Sequence, residues 1–351
     1  MKAITISCIP VGPNHSPLII AEMSGNHNQS LDRALAIVDA AAEAGAHGLK
    51  IQTYTADTIT IDAEQDEFRI TDAENLWSGN RLYQLYDRAH TPWEWHRPIF
   101  ERCRERGIFG FSTPFDASAV DYLEELEVPC YKIASFENID LPLIRRVAAT
   151  GKPIIMSTGM ASVAELGEAV DTARRAGCRD IILLKCTSTY PASPIDCNLS
   201  TIPHLRQMFQ TQVGLSDHTL GIGVPLAAVA LGATVVEKHF TLDRSDGGVD
   251  AAFSLEPPEL KSLVEESKRA WQAIGKITYG PANGREMCSL KYRRSLYVTQ
   301  DMRAGDKFDE SNLRSIRPGL GLPPKHYETL LGKKVTQDVT RGTAVSWELV
   351  E

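Results

Sequence analysis

Eight short apolar runs, each ending in or just before a polar or reactive residue, constrain the fold of this chain more than any other feature. A (β/α)8 TIM barrel delivers the ends of its eight strands to one catalytic face, and the runs therefore predict this α/β fold. In chain order they are LIIAE (Glu22), GLKIQ (Lys50), GFST (Thr113), YKIAS (Ser135), PIIMST (Ser157), IILLKC (Lys185), VGLSDH (His218) and VVEKH (His239).

Helix-like stretches such as LDRALAIVDAAAEAG and SVAELGEAVDTARRAG separate these runs and end in Gly, a common residue just past a helix. Strand and helix thus alternate, which favours a parallel sheet. The run IILLK is apolar at consecutive positions, as expected for a strand covered on both faces. An open doubly wound sheet is the main alternative, but the first strand lacks a GxGxxG turn and eight units suit a closed barrel better.

The length of 351 residues accommodates a barrel of about 250 residues and a smaller domain. The repeat ends after Trp271, and the following segment mixes Gly, Pro and charge as a linker does. We predict a barrel over residues 1–275, a linker over 276–292 and a module of short strands over 293–351. A core as small as that of the module is expected to lean on the barrel or on a second subunit.

Composition excludes several classes of protein. The formal charge is -8 and no basic stripe is present, which argues against nucleic-acid binding. The N-terminus lacks an apolar signal region, and the longest apolar stretch, 221–236, is rich in Gly and contains Pro225, so no membrane partner is expected. Seven scattered cysteines, none in a CxxC pair, indicate a reduced compartment and a cytoplasmic location.

Two histidines end the seventh and eighth runs. Neighbouring barrel strands bring His218 and His239 close together, and two imidazoles leave coordination positions free for substrate oxygens. We therefore predict a divalent metal site at this pair, although each could also be a hydrogen-bonded structural histidine. The sequence gives no comparable setting to His90, His204 or His326.

A second set of residues at or just past strand ends is cationic or hydroxylic. Ammonium groups, hydroxyls and loop amides in such places converge on phosphate, so a phosphorylated substrate is predicted. A lone Ser or Thr is more often a turn or cap residue, but a buried ammonium costs several kcal/mol without an anion. Lys132 could instead form a Schiff base, as in barrel aldolases. The set is Lys50, Thr113, Lys132, Ser135, Ser157 and Ser216.

Three carboxylates complete the candidates. Glu22 ends the first run, where a carboxylate could transfer a proton or position a water. Glu137 follows Ser135 in KIASFEN, and Asp250 lies in the loop GGVDAAFSL. These two side chains could bind sugar hydroxyls or amides.

Motifs in fixed order carry a family resemblance over essentially the whole chain. They resemble the sialic acid synthase family, which condenses phosphoenolpyruvate with an amino sugar, and the C-terminal module resembles that family's antifreeze-like (SAF, β-clip) domain. The motifs are AEMSGNHNQS, LKIQTY, FSTPFD, YKIASFEN, PIIMSTGMA, LLKCTSTYP, VGLSDHT, EKHFT and RPGLGLPP.

Two loops, WSGNRLYQLYDRAHTPWEWH and GGVDAAFSL, resemble those of pseudaminic acid synthases more than those of N-acetylneuraminate synthases. This likeness implies 2,4-diacetamido-2,4,6-trideoxy-L-altrose as the sugar. The alternatives within the family are N,N'-diacetyllegionaminate and N-acetylneuraminate synthases.

The resemblance also implies roles for individual residues. It makes His218 and His239 ligands of a divalent metal, usually Mn2+ with Mg2+ or Co2+ possible, and Glu22 the catalytic carboxylate. The family often has an asparagine contact after strand six, whereas this chain has Thr187 and Ser188 there. Phosphoenolpyruvate contacts are implied for Lys50, Thr113, Lys132, Ser135, Ser157 and Ser216, and sugar contacts for Glu137, Asp250 and Arg317.

The family pattern further implies a domain-swapped homodimer, in which Arg317 of RPGLGLPP binds the sugar's N-acetyl group in the partner's active site. Two alternatives from other classes stay open. A Schiff-base barrel aldolase or lyase would use Lys132 and no metal. A non-catalytic binding protein would use the SAF module for interaction or ice binding, but it has no need of so many reactive residues on one face.

Overall fold

The chain divides into two units, Met1–Gly275 and Lys276–Glu351. The computed structural model describes residues 2–73 and 75–351. The first unit is a closed parallel barrel surrounded by helices, and the second contains a short antiparallel sheet. The predicted fold class is therefore confirmed.

An N-terminal hairpin precedes the barrel. Its strands, β1 (Ile4–Ile6) and β2 (Ile9–Val11), pair antiparallel and bury apolar side chains in the same core as the barrel. Gln212, at the start of a barrel strand, donates from Nε2 to the Lys2 carbonyl at 3.0 Å. The segment that leads into the hairpin thus contacts the amino-terminal end of that strand. The hairpin is not among the predicted elements.

Eight parallel strands form the barrel, and the last pairs with the first. All eight predicted runs supply these strands, so the open doubly wound alternative is wrong. Ile181–Leu184 is buried at every position, as its consecutive apolar residues predicted. The strands are β3 (Leu18–Glu22), β4 (Gly48–Thr53), β5 (Phe109–Pro114), β6 (Tyr131–Ile133), β7 (Ile154–Ser157), β8 (Ile181–Cys186), β9 (Gln212–Asp217) and β10 (Val235–His239).

Helices cover the barrel, and several begin at a side-chain cap directly after a strand-end loop. Asp116 accepts a hydrogen bond from the Ala119 amide at 3.0 Å, and Ser162 forms a capping box with Glu165. Each such cap stabilises a helix by about 1 kcal/mol and fixes where the preceding loop ends. Within the described part of the chain, no helix has the length and apolar character needed to cross a membrane.

The α-helices of this unit are α1 (Leu31–Glu43), α2 (Ala56–Ile59), α3 (Leu82–Ala89), α4 (Trp93–Glu105), α5 (Ala117–Glu125), α6 (Leu141–Ala148), α7 (Val163–Arg175), α8 (Thr201–Phe209), α9 (Gly223–Ala230) and α10 (Pro257–Ile274). Short 3-10 turns lie at Ser24–His27, Asp66–Phe68, Pro194–Asp196, Arg244–Asp246 and Ala251–Phe253.

The second unit has its own apolar core, which includes Leu296, Phe308 and Val345. Its strands β11 (Ser295–Val298) and β12 (Leu313–Ile316) pair antiparallel, and Arg317 is exposed in the loop after β12. Ser295 holds this loop, because its Oγ donates to the Pro318 carbonyl at 2.7 Å and accepts from the Gly321 amide at 2.9 Å. The elements are α11 (Gly284–Ser289), β11 (Ser295–Val298), β12 (Leu313–Ile316) and α12 (Tyr327–Leu330), with 3-10 turns at Leu290–Tyr292, Pro324–His326 and Trp347–Leu349.

Candidate active site at the carboxyl ends of the barrel strands

A buried carboxylate gathers the predicted cations. Lys132 donates from Nζ to Glu237 Oε1 at 3.1 Å, and Ser216 Oγ donates to the same oxygen at 3.2 Å. Lys50 Nζ lies 3.9 Å from it. Burial alone would raise the pKa of Glu237, but Lys132 and Lys50 outweigh burial and hold the pKa below its ordinary value. Glu237 is therefore an anion at neutral pH.

Glu22 forms the second carboxylate of this cluster. Its Oε2 pairs with Lys50, whose Nζ also donates to Thr113 Oγ1 at 3.2 Å. Burial raises the pKa of Glu22 to about 7, although Lys50 opposes the rise. Burial lowers the pKa of Lys50, but Glu22 and Glu237 reverse this and raise it. Glu22 can therefore exchange a proton near neutrality while Lys50 stays charged.

Each lysine of this cluster is paired with a carboxylate of the protein, Lys50 with Glu22 and Lys132 with Glu237. Lys50 and Lys132 are 3% and 2% exposed, and Glu22 is the carboxylate that titrates near pH 7. When Glu22 is protonated it no longer offsets the charge of Lys50, and an anionic ligand would then stabilise the two ammonium groups. The cluster is an anion-accepting site.

Hydroxyl groups border the same space. Ser157 Oγ is buried and has no hydrogen-bond partner among the described residues, which indicates a group reserved for a ligand. Ser135 Oγ accepts from the Gly159 amide at 3.2 Å. A Cβ at Gly159 would overlap the hydroxyls of Ser135 and Ser188, so a larger residue would displace them.

The position of the hydroxyl cluster distinguishes the two candidate residues after the sixth barrel strand, Thr187 and Ser188. Thr187 Oγ1 donates to the Asp196 carbonyl at 3.4 Å, away from the hydroxyl cluster. Ser188 Oγ lies against Gly159 and 3.7 Å from Cys186 Sγ. Ser188 is therefore the better candidate for the contact that the sequence left between these two residues.

The two predicted metal ligands are neighbours. The ring centroids of His218 and His239 are 5.3 Å apart, and the Phe253 ring packs 4.9 Å from His239. His218 Nδ1 lies 2.8 Å from the Thr187 carbonyl. Because a carbonyl only accepts, Nδ1 carries a proton, and Nε2 is the ring nitrogen that would be available to a metal ion in the neutral imidazole.

The protonation states of the pair differ. Burial, followed by the charges of His218 and Lys50, holds the pKa of His239 well below its ordinary value, so this imidazole is neutral. His239 Nδ1 is buried without a hydrogen-bond partner in the described part of the chain and lies 3.7 Å from Asp250 Oδ2. Burial also acts on His218, but its contact with the Cys186 thiol outweighs burial and raises its pKa.

The protein offers two histidine side chains as ligands for a metal ion but not a complete coordination sphere. Across residues 2–73 and 75–351, no group of three or more His, Cys, Asp or Glu side chains is arranged to hold a metal ion. His239, a neutral imidazole with an unpartnered Nδ1, and His218, which contacts Cys186 and would bind through Nε2, fit two positions of a divalent ion. The remaining positions would belong to substrate and water.

The two predicted sugar-binding carboxyls of the barrel lie at the edge of this site. Burial raises the pKa of Asp250, with Ser24 and His218 opposing it. Burial also raises the pKa of Glu137 to about 7, and its Oε2 has no hydrogen-bond partner within the described residues. Asp250 is buried and Glu137 is half-buried, and the free Oε2 of Glu137 could accept a hydrogen bond from a ligand hydroxyl or amide.

Glu137 gives a stability prediction with a definite sign. Its pKa rises from 4.5 to about 7 on folding, so the unfolded chain loses its proton first and this group's contribution to stability falls between these pH values. We expect Glu137→Gln to be more stable than the wild type by about 2 kcal/mol at pH 8 and little different at pH 5. Urea unfolding at both pH values measures this. Glu265→Gln, on the exposed surface of α10, is the control, and an equal effect of Glu137→Gln at both pH values would contradict the prediction.

Two lysines of the strand runs face away from the cluster. Lys238 Nζ pairs with Asp217 Oδ2 at 2.6 Å, and Lys185 Nζ donates to the Cys186 carbonyl at 2.9 Å. All predicted site residues except Arg317 lie on barrel strand ends or on the loops that follow them.

Sequence reasoning missed four residues of the site: Glu237, Cys186, Tyr190 and Phe253. A signal existed for Glu237, because it precedes His239 by two positions and shares its strand face. None existed for Tyr190, which reaches His218 from a loop with ring centroids 4.5 Å apart.

A closed (β/α)8 barrel with an anion-accepting cluster and two imidazoles at its carboxyl-terminal face defines the class of this protein. Residues 37–279 match the NeuB family and residues 293–351 match the SAF domain. The chain belongs to the NeuB family. The resemblance to the sialic acid synthases is therefore confirmed.

Named relatives cover nearly all of the chain. It is 43% identical to a pseudaminic acid synthase of Campylobacter jejuni over 93% of this chain and 94% of that protein. It is 41% identical to the pseudaminic acid synthase of Helicobacter pylori, over 95% and 98%. Among solved structures, an N-acetylneuraminic acid synthetase from Leptospira borgpetersenii in complex with citrate has a TM-score of 0.72 and 34% identity, covering 83% of this chain and 96% of that one.

Proposed function

We propose that this protein is a transferase that condenses phosphoenolpyruvate with 2,4-diacetamido-2,4,6-trideoxy-L-altrose and water, giving pseudaminic acid and phosphate. The observation that carries the proposal is the cationic cluster of Lys50 and Lys132 beside the imidazole pair. The choice of sugar is supported by the similarity to proteins named pseudaminic acid synthase. N,N'-diacetyllegionaminate and N-acetylneuraminate synthesis are the alternatives within the family.

The phosphoenolpyruvate would bind at the anion-accepting cluster. Lys50 and Lys132 supply positive charge, which Glu22 offsets only in its ionised form, and Ser157 supplies a buried hydroxyl that has no partner among the described residues. Thr113, Ser135 and Ser216 complete the predicted contacts. Fixed charges in a buried site stabilise charge that develops on the leaving phosphate better than water would.

The implied metal fits the imidazole pair. His239 would hold it through Nδ1, which has no hydrogen-bond partner among the described residues, and His218 through Nε2, because its Nδ1 faces the Thr187 carbonyl. Mn2+ is the first expectation, with Mg2+ or Co2+ as alternatives. When bound, such an ion would act as a Lewis acid on the aldehyde oxygen of the open-chain sugar.

Glu22 has the protonation properties that the hydration step needs. Bond formation between C3 of phosphoenolpyruvate and the aldehyde carbon leaves cationic character on C2, which a water molecule captures. Glu22, with a pKa of about 7, would accept one proton of this water, and that proton would then pass to the alkoxide formed from the aldehyde oxygen, while the second water proton leaves with phosphate. Cleavage of the bond between C2 and the bridging oxygen then releases phosphate, with Lys50 and Lys132 holding its charge.

We also propose a domain-swapped homodimer in which Arg317 contacts the sugar's N-acetyl group in the partner's site. The support is the family resemblance and the exposed position of Arg317 in a loop held by Ser295. We also propose that the barrel domain ends at residue 275 and that the linker to the SAF module ends at residue 292. A cytoplasmic location is supported by seven cysteines that are all free thiols.

Phosphate release tests the function directly. We expect release from phosphoenolpyruvate with Mn2+ and the L-altrose diacetamido sugar, and loss of release when EDTA is added. The legionaminic counterpart and N-acetylmannosamine are offered in parallel, and faster turnover of either would change the assigned sugar. No release with any of the three sugars would refute the proposed function.

Borohydride trapping with pyruvate is the companion control. Lys132 donates from Nζ to the Glu237 carboxylate at 3.1 Å, and the nitrogen would have to leave this contact to attack a carbonyl group. We therefore expect no trapped adduct. An adduct at Lys132 would support the aldolase or lyase alternative.

A further inference from the structure

Two loops that are distant in sequence meet beside the active site and enclose a cavity of about 420 Å³. One loop lies between β4 and α4 and contributes Leu76 and Trp77. The other follows β10 and contributes Val249 and Ala252. Trp77 Nε1 donates to the Val249 carbonyl at 3.0 Å and joins the loops. We call this space the distal cavity.

The distal cavity adjoins the catalytic groups. Its lining includes Gly25, three residues after Glu22, and Val249, the residue before Asp250. The Trp77 ring lies 5.6 Å from the Tyr190 ring, which in turn packs against His218. A substrate held at the imidazole pair would therefore have this cavity next to it.

The walls of the distal cavity present apolar and polar surface in nearly equal parts. Leu76, Trp77, Leu85, Val249 and Ala252 supply the apolar surface. Asn28 and Arg88 supply amide and guanidinium groups. The volume is within the range of about 300–1,000 Å³ that small-molecule sites occupy. Such a mixed surface suits a ligand segment that carries both methyl groups and an amide.

The width of the cavity depends on one glycine. A Cβ at Gly25 would come within 3.2 Å of the Val249 Cβ. That contact is tighter than ordinary packing allows, so a larger residue at Gly25 would push the Val249 wall. The segments that contain Gly25 and Val249 can therefore approach each other this closely because residue 25 has no side chain.

We infer that the distal cavity binds the end of the sugar remote from its aldehyde, with the C6 methyl and the C4 acetamido group against the Trp77 and Val249 walls. The inference rests on the proposed function and identifies where the deoxygenated end of the substrate is selected. The residues at the strand ends act on the aldehyde and on phosphoenolpyruvate, whereas these two loops select the sugar.

The test compares two sugars that differ only at C6. These are 2,4-diacetamido-2,4,6-trideoxy-L-altrose and its counterpart with a hydroxymethyl group at that carbon. Apolar pockets discriminate against such a hydroxyl by a factor of about 10–100 in kcat/KM, and we expect the wild type to show a preference of this size. Trp77→Ala should reduce the preference at least about fivefold, while the KM for phosphoenolpyruvate changes less than about threefold.

Trp271→Ala is the matched control. Trp271 is also half-buried in the barrel unit, and its Nε1 also donates to a backbone carbonyl, that of Pro13 at 2.9 Å. It does not line the distal cavity. We expect this variant to keep the wild-type preference, and loss of the preference to the same extent in both variants would overturn the inference.

A second variant keeps the inference testable if Trp77→Ala does not fold. Ala252 is exposed on the cavity wall, and Ala252→Leu would occupy part of the space. We expect this variant to lower kcat/KM for the trideoxy sugar at least about tenfold with little change in the KM for phosphoenolpyruvate. A wild type that turns over neither sugar would refute the proposed function itself. If the wild type is active and both Trp77→Ala and Ala252→Leu keep its sugar preference and its kcat/KM, only the role assigned to the distal cavity is refuted.

Discussion

Replacing Lys132 with Met is expected to lower kcat/KM for phosphoenolpyruvate by about 10²–10³-fold, the usual loss when one preorganised charge or donor is removed from a site. Lys132 is 2% exposed and its Nζ lies 3.1 Å from Glu237 Oε1. The substitution also leaves Glu237 with Lys50 at 3.9 Å as its nearest cation. Breaking a buried pair in this way destabilises proteins by about 3–5 kcal/mol. Steady-state kinetics and urea unfolding measure the two effects.

Two further variants separate binding from folding. Lys132→Met combined with Glu237→Gln removes the orphaned charge, so we expect stability to recover while activity stays low. Lys185→Met is the control for loss of a strand lysine, because the Lys185 ammonium contacts the Cys186 carbonyl rather than Glu237. Near-normal kcat/KM in Lys132→Met, or an equal loss in Lys185→Met, would be incompatible with the assigned phosphate site.

The second large effect is expected at Glu22. Gln has nearly the same shape but cannot accept a proton, and loss of general-base catalysis typically costs 10²–10⁴-fold in turnover. We expect Glu22→Gln to lower kcat by about this factor while the KM for phosphoenolpyruvate changes less than about threefold. Unchanged turnover would eliminate the proposed role.

The pH profile adds a signature that a structural role would not produce. Burial raises the pKa of Glu22 to about 7, so the basic form required for proton transfer accumulates as the pH rises through that value. Wild-type kcat should therefore increase from pH 6 to pH 8, and the residual activity of Glu22→Gln should lack this limb. Glu124→Gln is the matched control, because Glu124 also pairs with a lysine, Lys152, and accepts a hydrogen bond from the Tyr131 hydroxyl at 2.7 Å.

The barrel strands could be predicted because their apolar runs are long enough to show burial on both faces and each meets a polar residue at its end. Most flanking helices could be predicted from their periodicity. The helix Thr201–Phe209 was not predicted, because it is short and contains Pro203 and His204 among its apolar residues. The hairpin Ile4–Val11 was missed because three-residue strands carry too little pattern.

Within the site, residues on strands could be predicted and those on loops could not. Strand ends in a barrel share one face by topology, so Lys50, Ser216 and His239 could be placed together without coordinates. The separation of Thr187 from Ser188 depends on which side chain approaches Gly159, and neighbouring positions in a loop have no fixed direction. The meeting of Trp77 with Val249 joins residues 172 positions apart, and local sequence contains no signal for it.

The order Glu237, Lys238, His239 also favours the native register of β10 in the barrel. Glu237 faces two lysines inside, while Lys238 faces Asp217 on the opposite side of the wall. A one-residue slip of a strand exchanges its two faces. In a slipped β10, a third ammonium would meet Lys50 and Lys132, and two carboxylates would meet behind them. A barrel closed in the wrong register would thus bring like charges together on the inner and the outer face of the sheet. The residues that form the site therefore also destabilise the slipped register relative to the native one.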